Sequence, residues 1–364
     1  MLEFIKRMSP GRSVFAGMKQ LIQDAHATQT GADEVLFTQT TDQWNIALTR
    51  YAPQTTPRQH PVLLCHGMGA NRYIFDMRAD RSLARYLSAR GFDTYCVELR
   101  GHGLSEHPST ATGKTFGWTF DDYLLQDLPA AFRFLHKRLS GRSIHYLGHS
   151  MGGLLLYATL AVDGGRYLRS GITVGSSLDY SGTGSDFESL SRLIGLTDYI
   201  PSLPLSYLST LISPLSGRID SPIDRFSAWP TNIEPELFRQ CAALNFHDIS
   251  SPVLRQLTSV FQTGGLRSAD GNRRYTDGLH RASIPVLALA GDEDRQCPPD
   301  AARKTFAQLP GSEHQFRLMG PQNSDMDHYG HEDLLIGKRV KTEVFPVVCN
   351  WFVKHDGHPP HASN

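Results

Sequence analysis

The chain has 364 residues, 40% of them hydrophobic and 20% charged, which is ordinary globular composition with room for a large core. Thirty-six Lys and Arg balance 36 Asp and Glu, so no net field draws the protein to nucleic acid or to an acidic membrane. Five cysteines, an odd number without regular spacing, read as reduced buried thiols (Cys65, Cys96, Cys349), as expected of a cytoplasmic protein.

Met1–Pro10 has basic residues but no apolar stretch, so no secretory signal is expected, and no apolar run reaches the ~20 residues of a membrane span. Residues 1–33 read as an N-terminal extension. Within it Phe15–Ala25 is weakly amphipathic, fit either to pack on its own domain or to touch a membrane surface. Glu34–Thr38 and Trp44–Tyr51 alternate as a hairpin around Thr41-Asp42-Gln43. Pro61–Cys65 is a continuous apolar run, the pattern of a strand buried on both faces. A helix is predicted at Ser82–Ser88, a strand at Thr94–Leu99, a helix at Asp121–Arg138, and strands at Ser143–Gly148 and Ile172–Gly175. This alternation predicts an α/β fold with a doubly wound, mostly parallel sheet.

The rhythm breaks over 178–282, where only helical pieces separated by prolines are evident: Asp186–Ile194, Leu203–Leu211, Pro235–Leu244 and Val253–Phe261. This segment is expected to be a helical cap inserted into a core formed by 34–177 and 283–354. Strands resume at Ile284–Ala290 and His314–Leu318, with helices at Pro299–Leu309 and Thr342–Lys354. The tail 355–364 is expected to fray.

Chemistry concentrates in four places. Gly148-His149-Ser150-Met151-Gly152-Gly153 lies between a predicted strand and a predicted helix, the context of a nucleophile elbow. Its glycines allow close approach of strand and helix, and the helix start offers free N–H groups beside Ser150. A serine nucleophile needs a base and an orienting carboxylate. The strand Ile284–Ala290 ends in Gly291-Asp292-Glu293-Asp294, where Asp294 is the favoured acid and Asp292 the alternative. After the last strand come His328 and His331; Gly330 favours His331 as the base, with His328 as the alternative. A zinc site using both histidines and the flanking acids is a further reading, weakened by the lack of a third ligand at metal spacing. Finally, Cys65-His66-Gly67-Met68-Gly69 ends the first buried strand, placing the Met68 and Met151 N–H groups as the oxyanion pair. His66 and His102, the latter in Arg100-Gly101-His102-Gly103, read as structural props. No phosphate or dinucleotide loop occurs, so no cofactor is expected.

With these four motifs the sequence resembles α/β-hydrolases of the serine esterase and lipase type over about Glu34–Val353. The stretch Tyr329–Gly337 is similar to the histidine loop of acid-lipase-like and polyester-depolymerase-like members, where the histidine matching His331 is catalytic. The resemblance implies ester hydrolysis through an acyl-enzyme on Ser150, without cofactor, on a small-molecule ester. It argues against members with aspartate or cysteine nucleophiles, the polyester synthases among the latter. A thioesterase or acyltransferase with the same triad is the alternative, and a non-catalytic binding protein is disfavoured by the intact serine, acid and histidine. Aliphatic residues of the cap (Leu193, Ile194, Leu205, Leu208, Leu211, Ile212) either line an apolar acyl pocket for short to medium chains or pack the cap on the core.

Overall fold

A computed structural model describes residues 10–191, 199–218 and 221–357. Ten strands are present among the described residues: β1 (Glu34–Gln39), β2 (Asn45–Tyr51), β3 (Val62–Cys65), β4 (Thr94–Glu98), β5 (Ile144–His149), β6 (Leu168–Val174), β7 (Ser202–Leu203), β8 (Ile249–Ser250), β9 (Val286–Gly291) and β10 (Gln315–Met319). Eight of them form one sheet in the order β1-β2-β4-β3-β5-β6-β9-β10. β1, β2 and β4 pair antiparallel, and from β4 to β10 every neighbour is parallel. The apolar runs explain the centre: every residue of β3, β4, β5 and β9 is buried, because helices cover both sheet faces. Two apolar clusters fill those layers, one around Leu155, Leu156 and Tyr146, the other around Leu147, Ile172 and Phe352.

The parallel register sets the carboxyl ends of β3, β5, β6, β9 and β10 along one rim, where such sheets place their sites. Behind that rim, buried Arg100 at the exit of β4 pairs with Asp127 (2.6 Å) and with Asp42 of the hairpin turn (2.6 Å). The helix expected over Asp121–Arg138 is interrupted at this point by a π-turn, Tyr123–Asp127, before Leu128–Arg138. Pro129 has no N–H to continue the ladder, and the wider turn carries Asp127 to Arg100.

Between β6 and β9 lie the helices Asp186–Ser191, Leu205–Ile212, Pro222–Ser227, Pro235–Leu244 and Ser251–Leu257. The end of the helix predicted over Asp186–Ile194, with Leu193 and Ile194, falls outside the described residues. Two features of this insertion differ from expectation. β7 and β8 pair antiparallel here, too short at two residues each to show any alternation. The helix Pro222–Ser227, with Ser221 accepting from the Asp224 N–H as its cap, was not predicted.

The N-terminal helix Pro10–Ala25 packs on Leu205–Ile212 and Pro235–Leu244. Gln23 donates to Ala243 O (3.1 Å), and the Lys19 ammonium sits 4.5 Å over the Tyr207 ring. Of the tail expected to fray, His355 closes the helix Val344–His355 and Asp356 is docked, while 358–364 lie outside the described residues. Buried Asp356 accepts the N–H groups of Gln59 (3.0 Å) and His60 (2.9 Å) and lies 3.4 Å from His145 Nε2. No helix among the described residues is long and apolar enough to cross a membrane.

Candidate active site

Ser150 follows β5 at φ 53°, ψ −121°, a conformation that costs a non-glycine residue ~1–3 kcal/mol. Its neighbours show why the corner is glycine-rich: a Cβ on Gly148 would stand 2.1 Å from Gly152 O, and one on Gly152 2.3 Å from Cys65 O. The corner is held by the Ser150 N–H donating to Val174 O and by Ser176 Oγ donating to Ser150 O, both at 2.9 Å. The helix Met151–Asp163 begins directly after it, so the Met151 N–H is among those with no acceptor inside the helix. The loop after β3 lies against the serine, since a Cβ on Gly67 would come within 2.9 Å of Ser150 Cβ. Met68 is the next residue of that loop.

Asp294 and His331 meet at the same rim. Asp294 lies beyond β9 and His331 beyond β10; Asp294 Oδ2 is 2.7 Å from His331 Nδ1, and the side chains are 0% and 2% exposed. Oδ1 of Asp294 accepts the N–H groups of Gln296 (2.9 Å) and Cys297 (2.8 Å), which fixes the carboxylate's orientation. Because the carboxylate accepts, Nδ1 carries the proton and Nε2 presents its lone pair. That Nε2 is buried and makes no hydrogen bond, so Ser150 Oγ does not donate to it in this conformation. Burial disfavours the imidazolium, but the charge and hydrogen bond of Asp294 outweigh it and hold His331 above the ordinary 6.5.

The structure separates the alternatives. His328 pairs with Asp292 (Nδ1 to Oδ2, 2.6 Å), so the two less favoured residues form their own pair, in which His328 is 40% exposed. Ligating atoms of Asp292, Glu293 and His328 lie within 4.8 Å of one another. His331 is not among them, so the zinc grouping of both histidines, the disfavoured alternative, does not form. Asp292 is already engaged by His328 and by the Tyr329 N–H (2.9 Å).

His66 bridges two loops, with Nδ1 2.8 Å from Gly67 O and Nε2 accepting the Leu99 N–H at 3.1 Å. His102 is buried with Nδ1 2.9 Å from Arg100 O. Burial lowers them to about 3 and about 4 respectively, so both are neutral props.

Several participants were not singled out in the sequence. His149 packs its ring 4.8 Å from that of His331 and approaches His331 O at 3.3 Å. Gly175, at φ +57°, leaves the space that the pair occupies: a Cβ there would lie 3.0 Å from both Asp294 Oδ2 and His331 Nδ1. Asp333 accepts the N–H groups of Trp229 and Gly330 and the Asn232 amide, each at 3.1 Å, anchoring the histidine loop. Leu208, Leu211 and Ile212, expected either to line the pocket or to pack the cap on the core, are partly open to solvent; half of Leu208 is exposed. Leu205 instead packs on the loop after β3, where a Cβ on Gly69 would meet it at 2.9 Å.

The chain matches the family model for the alpha/beta hydrolase fold over residues 60–332. It belongs to that family. It is similar to the poly(3-hydroxyalkanoate) polymerase subunit PhaC of Haloferax mediterranei, 26% identical over 336 residues, 85% of this chain and 62% of that protein. Triacylglycerol lipase 2 of Arabidopsis thaliana is 33% identical over 111 residues, 29% of this chain and 26% of the lipase. The chain thus spans less than two thirds of either relative. Among solved structures, a thermophilic esterase from Thermogutta terrifontis superposes with TM-score 0.59 at 16% identity, covering 89% of this chain and 100% of the esterase. The monoacylglycerol lipase of Paleococcus ferrophilus does so at 0.57 and 20% identity, covering 85% and 99%. At these identities the likeness establishes the fold.

Proposed function

We propose that the protein is a serine hydrolase cleaving carboxylic esters of short to medium acyl chain. Ser150 Oγ attacks the carbonyl carbon while His331 Nε2 takes its proton, and Asp294 holds the imidazole in the required tautomer. The Met68 and Met151 N–H groups receive the developing oxyanion. The tetrahedral species collapses to an acyl-serine as the imidazolium protonates the departing alkoxide. Water, deprotonated by the same histidine, then releases the acid. Residues 178–282 would act as the cap over the acyl group.

The observation that carries this reading is the buried His331–Asp294 pair, with its second nitrogen free, on the rim that also bears Ser150. Turnover of a p-nitrophenyl ester series tests it: hydrolysis falling off with long acyl chains supports it, and absence of ester turnover opposes it. A second reading is favoured by the polymerase relative that matches 85% of the chain, namely acyl transfer to an alcohol with the same residues. Running an acyl-CoA and an alcohol acceptor beside the esters separates the two, since a transferase forms new ester faster than free acid.

A further inference from the structure

The loop that carries Met68 is held by the insertion between β6 and β9, at His247. The backbone N–H of His247 donates to Gly69 O (2.6 Å). Its Nε2 lies 3.2 Å from the Gly103 N–H and 2.9 Å from Asn71 Nδ2. Asn71 completes the junction, donating Nδ2 to Leu244 O (2.9 Å) and its backbone N–H to Asn245 Oδ1 (3.3 Å). A backbone N–H can only donate, so Nε2 is an acceptor and the ring is neutral, protonated on Nδ1. Burial, and then the neighbouring His102 and His66, hold its pKa well below the ordinary value. One imidazole therefore joins the loop after β3 to the loop after β4, and Ile249 and Leu205 close on Gly69 from the same insertion.

We propose that His247 is a positioning residue: as a neutral acceptor tied to Asn71 and Gly103, it fixes the loop so that the Met68 N–H faces the oxyanion. This rests on the ester-hydrolysis reading of Ser150. An N–H displaced by about 1 Å costs rate at the transition state while leaving substrate binding nearly untouched.

The test compares His247→Leu, His247→Asn and His247→Gln on a short-chain p-nitrophenyl ester. Leu removes the acceptor; Asn is too short to reach the Nε2 position; Gln reaches it. Leu and Asn are expected to lower kcat by roughly 10–10² with KM within about twofold. Gln should recover kcat to within about threefold of the wild type. Should His247→Leu not fold, the Asn and Gln pair carries the same comparison. Equal kcat in Asn and Gln, or a loss confined to KM, overturns the proposal. An inactive wild type instead removes the hydrolase reading itself, so the two failures are distinct.

Discussion

Asp294 Oδ2 sits 2.7 Å from Nδ1 of His331, with neither side chain open to solvent, and it is on this contact that we propose His331–Asp294, of two neighbouring His–Asp pairs, as the reactive one. The other pair, His328–Asp292, is as short at 2.6 Å, but its histidine is 40% exposed. His331→Ala should therefore lower ester turnover by ~10⁴ or more. His328→Ala should leave kcat within about threefold of the wild type. Parallel steady-state assays of the two variants check this, and the reverse ranking would move the base to His328.

The pH profile follows from the same contact. His331 must be neutral to accept a proton, and Asp294 raises its pKa above 6.5. On the proposed mechanism, activity is expected to be lost below that pKa and to appear as pH rises through it. The acid limb of kcat/KM should inflect above 6.5 in the wild type. In Asp294→Asn the stabilising charge is gone while burial remains, so the inflection should move downward and the plateau fall by roughly 10²–10⁴.

Gly175 offers a probe that changes none of the three side chains proposed to react. A methyl group there meets Asp294 and His331 at 3.0 Å, on a backbone at φ +57° that side chains resist. Gly175→Ala should displace the imidazole and lower kcat by about 10²-fold. The loss in thermal stability should be modest, ~1–3 kcal/mol. Turnover measured beside a melting curve separates these effects.

Glu332 is buried beside the site, its Oε2 without a hydrogen bond. Burial raises it from 4.5 to about 7, opposed in part by His331. A carboxyl raised in the folded state binds its proton more tightly there than in the unfolded chain. Its stabilising contribution is therefore complete below pH 4.5 and is lost as pH rises through about 7. Glu332→Gln should melt higher than the wild type at pH 8, by up to ~3 kcal/mol, and the gap should close toward pH 4.5. Melting curves across that range read it directly.

What the sequence discloses here is chemistry that is local. β3 and β9 are uninterrupted apolar runs, Ser150 and Asp294 follow their strands within three residues, and His331 lies in the loop after the last strand, so position along the chain reports position on the rim. His247 carries no comparable signal: it is a lone histidine in a loop, and its partners Gly69, Asn71 and Gly103 lie more than a hundred residues away. Gly175 reads as an unremarkable strand end, because its neighbours Asp294 and His331 arrive from other strands. Asp356 looks like part of a polar tail until Gln59 and His60 are folded against it. The helix Pro222–Ser227 did leave a trace, in Ser221-Pro222 with Asp224, the serine cap followed by proline in the first turn.

The most direct measurement is the site and dependence of covalent labelling by a fluorophosphonate, read by mass spectrometry of the modified peptide. One adduct per chain is expected, on Ser150, formed at a rate that collapses in His331→Ala and persists in His328→Ala. An unlabelled chain, an adduct on another residue, or labelling of Ser150 that is indifferent to His331 would contradict it.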